Sequence, residues 1–348
     1  MIRMPRLLIV GSGVTGALTA SLVRQERKDL EIVVWDKAKG AGGRMSTSRS
    51  PTSPSCIADL GAQYLTATPD YVRSHAQFYE DLIESELLQP MISKFEGMKK
   101  VASGTLNFVT PNGSGSLVKY YLNKSGAEVH FEHEVESIQR SEKSHWLVTT
   151  SSGASEKFEA VVMTVPVPQL FQLKGAVPEL LAQSPEITEK LKNIFFSSRY
   201  ALGLFYDDCP GFLNDLPWAA KYFPDDPMIR FIAVDNFKRG SVDQLPAVVV
   251  HTSVTFGQSY LEDDKDKVQG LIVNHLPELL PGFVPPSSMK CQRWRYSQVK
   301  CPFENTPGCV TLQESPLLAL GGDSFTHSNF DGCVDSAIKI VEEILKKL

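Results

Sequence analysis

No apolar run in this chain approaches the length of a membrane-spanning helix. The longest, such as Ala160–Val165 and Ala247–Val250, are strand-sized, against the roughly 20 residues a bilayer requires. Cysteine is sparse and scattered: Cys56, Cys209, Cys291, Cys301, Cys309 and Cys333 form no C-x-x-C pair. That spacing excludes a disulfide framework and a zinc centre, so no metal is expected. Positive charge is not in excess either, and a net charge of -5 argues against a dedicated binder of nucleic acid or anionic membrane. There is no internal repeat and no low-complexity tail. The apolar stretch behind Arg3 and Arg6, Leu7–Val10, is too short for the core of a signal peptide. A reducing, cytoplasmic compartment is therefore expected, with export that needs no cleaved signal left open. Nothing marks an oligomeric state.

What is present is enough for one large core or two modest ones: 348 residues, 42% of them hydrophobic and 22% charged. The chain opens on an apolar strand, Arg6–Val10, that runs into Gly11-Ser12-Gly13-Val14-Thr15-Gly16. A G-x-G-x-x-G between strand and helix uses its glycines for a tight turn, close backbone approach to a pyrophosphate, and close helix–strand packing. The phosphate sits on the helix N-terminus. Glu31–Trp35 is a second buried strand, and Asp36 closes it 20 residues past Gly16, where a ribose-binding carboxylate belongs. An acid there favours an adenosine with a free 2′-hydroxyl. The alternative is a glycine-rich turn in an ordinary α/β protein. Gly42-Gly43-Arg44 follows, two glycines that permit close approach and an arginine suited to phosphate oxygens. Ser46–Ser55 has the composition of a solvated loop, and Asp59–Tyr64 that of a short turn facing the same ligand.

Residues 71–88 carry apolar side chains at helical spacing, and Leu117–Leu122 is a second helix behind a Ser/Asn-rich start. Glu128–Phe131, Glu134–Arg140 and Trp146–Thr150 alternate as strands. Val135 either faces an adenine ring or is a core valine. Phe158–Thr164 is an apolar strand ended by Pro166 and Pro168. From Gln169 the character changes to β-rich, aromatic segments: a helix over Glu186–Phe195, then Tyr200–Tyr206, Ile229–Val234 and Val248–Phe256, a helix over Val268–Leu280, and a strand over Lys290–Tyr296. The expected fold is α/β, a Rossmann-type nucleotide-binding domain with an inserted α+β substrate domain on an antiparallel or mixed sheet. The first domain is expected over 1–75, 104–168 and 300–348, the second over 76–103 and 169–299.

Leu317–Leu320 is another buried strand, ending in Gly321-Gly322-Asp323, and Asn329–Val334 opens a final helix over 335–348 that Asn329 or Asp331 caps. Its N-terminus bears about half a positive charge, suited to the N1/C2 carbonyl edge of a reduced isoalloxazine. Taken alone these are a strand-to-loop turn and a C-terminal clamp. Taken with the opening glycines they make the far wall of an FAD site.

The runs Val34–Ala38, Gly42–Met45, Ala58–Tyr64, Ser197–Tyr206, Lys290–Val299 and Asn329–Cys333 resemble the FAD-dependent oxidoreductases of the amine-oxidase-like, p-hydroxybenzoate-hydroxylase-like fold. Within them the chain is similar to the branch that oxidises the 2- and 6-dihydro isomers of NAD(P)H. The likeness covers nearly the whole sequence, and 207–216 and 300–310 match less well. It implies non-covalent FAD held by Gly11, Gly13, Thr15, Gly16, Asp36, Lys37, Gly43, Arg44, Gln63, Val135, Gly322, Asp323, Gly332, Cys333 and Val334; no cysteine lies in an evident flavin-linking motif. It implies oxidation of those isomers to β-NAD(P)+, with O2 as acceptor and hydrogen peroxide as product. A dihydropyridine becomes aromatic by losing hydride, so no acid or base is strictly required. Tyr64, Tyr200, Tyr222, Trp294 and Tyr296 are candidates to frame the flat ring, and His251 to hydrogen-bond its carboxamide. Arg199, Arg230, Arg293 and Arg295 are candidates for its pyrophosphate. For each the alternative is a core or solvated side chain. Two other functions compete: amine or polyamine oxidation, which calls for a lysine-and-water station that no lysine here matches by motif, and a secreted receptor-binding protein whose flavin is structural.

Overall fold

Leu7–Val10, Ile32–Trp35, Ala160–Met163 and Leu317–Leu320 are buried along their whole length, the pattern of strands covered on both faces of a parallel sheet. In the computed structural model, which describes residues 4–142 and 144–348, they stand side by side. The order is Cys309–Glu314, Leu317–Gly321, Ala160–Met163, Arg6–Val10, Glu31–Trp35, Glu128–His130. All neighbours are parallel except the first pair, an antiparallel hairpin. Val10 lies level with both Met163 and Trp35, and Met163 with Leu320, so four glycine-bearing or apolar strand ends reach the same edge. The helices Val14–Glu26 and Phe330–Lys347 pack on this sheet. A four-stranded sheet, Ser155–Phe158, His145–Thr150, Val135–Glu142 and Lys174–Gly175, joins it through the Trp146 indole, which donates to the Leu317 carbonyl at 2.9 Å.

The chain forms two compact units. The first, just described, takes residues up to Gly43 with Leu117–Phe196 and Val299–Leu348; the second takes Arg44–Ser116 and Ser197–Gln298. The second is built on a sheet of order Ser288–Cys301, Phe195–Phe205, Ala247–Thr252, Ile229–Val234, Ala220–Tyr222, Phe95–Glu96. One face carries Tyr200, Leu202, Leu204, Ile232, Val248 and Val250 against the helix Lys265–Leu279. The other carries Ala201, Phe205, Ala247 and Val249 against Cys56, Ala58 and Leu60 of the Thr47–Arg49/Ile57–Asp59 hairpin. Drawn this way, 44–75 and 104–116 fall in the second unit and 169–196 in the first, because the hairpin packs on the sheet of the second, while Lys174–Gly175 pairs with Ser137–Ile138.

Several element bounds differ from those expected. The 71–88 helix is two, Pro69–Ser74 and Ala76–Glu84, broken at buried His75. Phe158–Thr164 divides at Glu159, where the chain leaves an antiparallel pairing with Trp146 and enters a parallel one with Leu7. The strand expected through Phe256 stops at Thr252, since the Ser253 hydroxyl accepts from the Phe256 N–H (3.1 Å) and starts a short helix. The final helix begins at Phe330 rather than 335, because the Asn329 side chain accepts from the Gly332 N–H at 2.7 Å.

Candidate functional site

In the first unit, the two glycine turns meet at one residue. Gly11 has φ +110, and a Cβ there falls 2.7 Å from the Thr164 hydroxyl oxygen. Gly322 has φ +115, and a Cβ there lies 3.7 Å from the Thr164 carbonyl oxygen. Thr164 follows the strand between theirs. Gly16 is forced by packing, since its Cβ falls 2.0 Å from the Gly11 carbonyl oxygen, whereas a Cβ at Gly13 meets nothing within 4 Å. The helix Val14–Glu26 starts with no side-chain cap and no acidic residue in its first turn. Its N-terminal amides and its positive end are therefore available to an anion, over a glycine whose missing side chain leaves room. Gly43 stands opposite, its Cβ position 3.4 Å from the Gly13 Cα, and the Gly42 N–H donates to the Ser12 carbonyl at 3.0 Å. These features fit a dinucleotide's pyrophosphate.

The other cofactor residues expected in this unit have contacts and burial of their own. Asp36 accepts the Ser12 N–H (2.7 Å) and hydroxyl (2.6 Å) on one oxygen and the Ala38 N–H (2.8 Å) on the other. Lys37 is exposed, 3.6 Å from Glu134. Thr15, Val135 and Val334 are buried, and Cys333 is half-buried. The Asp323 carboxylate accepts from the Ser328 hydroxyl, and the Gly322 N–H donates to Ser336 Oγ at 2.7 Å. At Gly332 a Cβ falls 2.1 Å from the His327 carbonyl oxygen.

In the second unit, strand alternation sorts the remaining candidates by face. Ala201 pairs with His251, His251 with Phe231, and Phe231 with Tyr222, so these side chains share the face that also carries Trp294. Tyr64 joins them: its hydroxyl is 2.7 Å from that of Tyr222 and its ring meets Phe95 edge-on. Tyr200 does not, because it belongs to the opposite face, where its hydroxyl donates to the Tyr260 carbonyl at 2.8 Å. Arg293 and Arg295 are likewise occupied, Arg293 by the carbonyls of Leu261 (2.8 Å) and Asp263 (3.1 Å), Arg295 by Glu262 (2.6 Å).

The protonation of this face is fixed by burial. His251 is pulled down to about 3 by desolvation, with Arg199 and Lys238 adding to it. It is neutral, and its Nε2–H donates to the Leu60 carbonyl at 3.1 Å, which leaves Nδ1 as an acceptor. The Trp294 indole N–H goes to the same carbonyl at 2.8 Å. Burial, with Tyr64 beside it, pushes the Tyr222 hydroxyl far up.

Beneath Leu60 lies a group of charges that sequence reasoning missed. Arg239 donates to Asp59 (2.6 Å) and Asp235 (2.7 Å), and Lys238 pairs with Asp235 and donates to the Gln63 side-chain oxygen at 3.1 Å. Burial works against charge on Arg239, but Asp235 and Asp59 overcome it and hold its pKa up; burial works likewise against Asp235, and Arg239 and Lys238 hold that carboxylate down. Asp59 also takes the hydroxyls of Thr47 (2.7 Å) and Ser114 (3.0 Å). The Gln63 amide donates to the carbonyls of Asp59 and Gly61 (3.1 Å). Its polar atoms thus hold the 59–64 loop that presents Tyr64. Arg44 lies beside that loop, its carbonyl accepting the Ala62 N–H at 3.0 Å. The signal available in sequence was Asp235-Asn236-Phe237-Lys238-Arg239, an acid with cations three and four residues on.

Fold and cradle together define a flavin-dependent oxidoreductase with a Rossmann-type nucleotide-binding part. Residues 77–345 match the family model for flavin containing amine oxidoreductase, and residues 9–82 that for an NAD(P)-binding Rossmann-like domain. A crystal structure of a candidate protoporphyrinogen oxidase from Exiguobacterium sp. 255-15 superposes with a TM-score of 0.73 at 13% identity, covering 99% of each chain, which shows the shared fold. Renalase from Mus musculus is 44% identical over 347 residues, 99% of both chains. The chain belongs to the renalase family of FAD-dependent oxidoreductases.

Proposed function

We propose that the protein oxidises the 2- and 6-dihydro isomers of NAD(P)H to β-NAD(P)+ with O2, the balance being substrate + O2 + H+ giving NAD(P)+ and H2O2. Non-covalently bound FAD would supply the two-electron acceptor between substrate and dioxygen. The cradle of Gly11, Gly13, Thr15, Gly16, Asp36, Lys37, Gly43, Gly322, Asp323, Gly332, Cys333 and Val334, with Val135, Arg44 and Gln63, holds it. Tyr64, Tyr222 and Trp294 frame the flat substrate ring, and His251 Nδ1 accepts from its carboxamide N–H.

The observation that carries this reading is the protonic silence of the second unit's site face. His251 is neutral with a pKa of about 3, Tyr222 is pushed up, and Lys238 is bound to Asp235 and Gln63. Neither His251 nor Tyr222 changes charge near neutral pH. A dihydropyridine loses hydride without an acid or base, so its oxidation asks only for positioning. An ammonium substrate must first surrender a proton, and among the described residues His251 is too weak a base while Asp59 and Asp235 are already paired with Arg239 and Lys238. Anaerobic mixing with each isomer, and with catecholamine and polyamine controls, tests this: rapid bleaching by the isomers and none by the amines is expected, and the reverse ranking overturns it.

A further inference from the structure

The arginines around the second unit's sheet are of two kinds. Arg239, Arg293 and Arg295 are matched by carboxylates or carbonyls. Arg199 and Arg230 have no acidic partner among the described residues. Arg199 reaches the Gln298 amide oxygen at 3.2 Å with one terminal nitrogen, while its Nε is buried with no acceptor. Burial first, then Arg230, lower its pKa, so two like charges face one another in a desolvated place. Such an arrangement costs stability unless an anion completes it.

Two features of the fold aim these side chains. Strand alternation places Arg199 on the face of Ala201, diagonal to His251. The register shift between Ile229 and Phe231 sends those two residues to opposite faces and turns Arg230 over the Tyr222 ring, 6.0 Å from its centroid. The backbone under Arg199 is clamped: a Cβ at Gly257 falls 2.4 Å from its Cα, and the flanking Tyr200 N–H donates to Thr252 Oγ1 at 2.9 Å.

We propose that Arg199 and Arg230 form a seat for phosphate oxygens of the substrate, beside Tyr222 and His251, and that this seat makes the protein favour phosphate-bearing dihydronicotinamides over the bare riboside. Two planar guanidinium groups with unused donors suit a diphosphate, which offers several oxygens and more than one charge. The identity of the ligand rests on the function proposed above; the seat rests on the two side chains alone.

The test uses FAD-loaded protein, so that the cradle of the first unit is filled. Calorimetric titration with inorganic pyrophosphate is expected to show binding that weakens about tenfold or more in Arg199→Gln and in Arg230→Gln, and is unchanged in Arg295→Gln. Arg199→Lys, which keeps the charge without the Nε donor, covers a folding failure of Arg199→Gln and is expected to lie between it and the unaltered protein. In a second arm, the ratio of half-saturating concentrations for the riboside and dinucleotide forms of each dihydro isomer is expected to fall about tenfold in Arg230→Gln. Unchanged pyrophosphate affinity in both glutamine variants overturns the seat. Pyrophosphate binding that needs both arginines, in a protein no dihydronicotinamide bleaches, leaves the seat standing and removes the proposed substrate.

Discussion

In the first unit the decisive positions are places where no side chain fits: a Cβ at Gly16, Gly321 or Gly332 falls 2.0, 2.3 or 2.1 Å from a neighbouring atom. In the second unit the decisive positions are buried charges. Lys238 and Arg239, the buried lysine and arginine among the described residues, lie there with Asp59 and Asp235. One unit closes its own backbone and side chains on these glycines. The other fixes charges so that a loop bearing Gln63 and Tyr64 stays in place. Close packing at glycines shapes the turns of the first unit, whereas the face of the second is backed by a layer of buried charges.

Breaking the charged layer is expected to have the largest effect. Asp235→Ala leaves Lys238 and Arg239 without their shared carboxylate, and urea unfolding should show a loss of about 3–5 kcal/mol. Breaking the glycine layer comes next: Gly16→Ala drives a methyl into the Gly11 carbonyl and should cost about 1–3 kcal/mol, with loss of bound flavin absorbance. Acid sharpens the contrast. His251 has a folded pKa of about 3 against an ordinary 6.5, so the unfolded chain takes up the proton first as pH falls. Its contribution is complete above pH 6.5, falls by about 2 kcal/mol by pH 5, and continues to be lost toward pH 3. Denaturant titrations of the unaltered protein and His251→Asn should differ by that slope. The smallest stability effect is expected at Gly13→Val, where a Cβ meets open space: apoprotein stability within about 0.5 kcal/mol of the unaltered protein, but a colourless product.

The first unit was largely legible in the sequence because glycine and long apolar runs leave a local trace. The opening glycines and the closing Gly321-Gly322 turn come together at Thr164, which a Cβ at Gly11, Gly16 or Gly322 would approach. Thr164 itself left no trace, since its role comes from strand order. In the second unit the strands were visible but the faces were not. Tyr200 and Tyr222 look alike in sequence and lie on opposite sides of one sheet, and a bulge decides where Arg230 points. The Asp59–Arg239 pairing joins residues 180 apart, beyond what local periodicity records.

In the proposed substrate face of the second unit, His251 is neutral and the Tyr222 hydroxyl keeps its proton near neutral pH. The most direct measurement is the anaerobic rate constant for flavin bleaching by a 6-dihydro NADH isomer from pH 6 to pH 9. A flat profile is the predicted result; a rate that rises or falls tenfold per pH unit across that range would contradict the account.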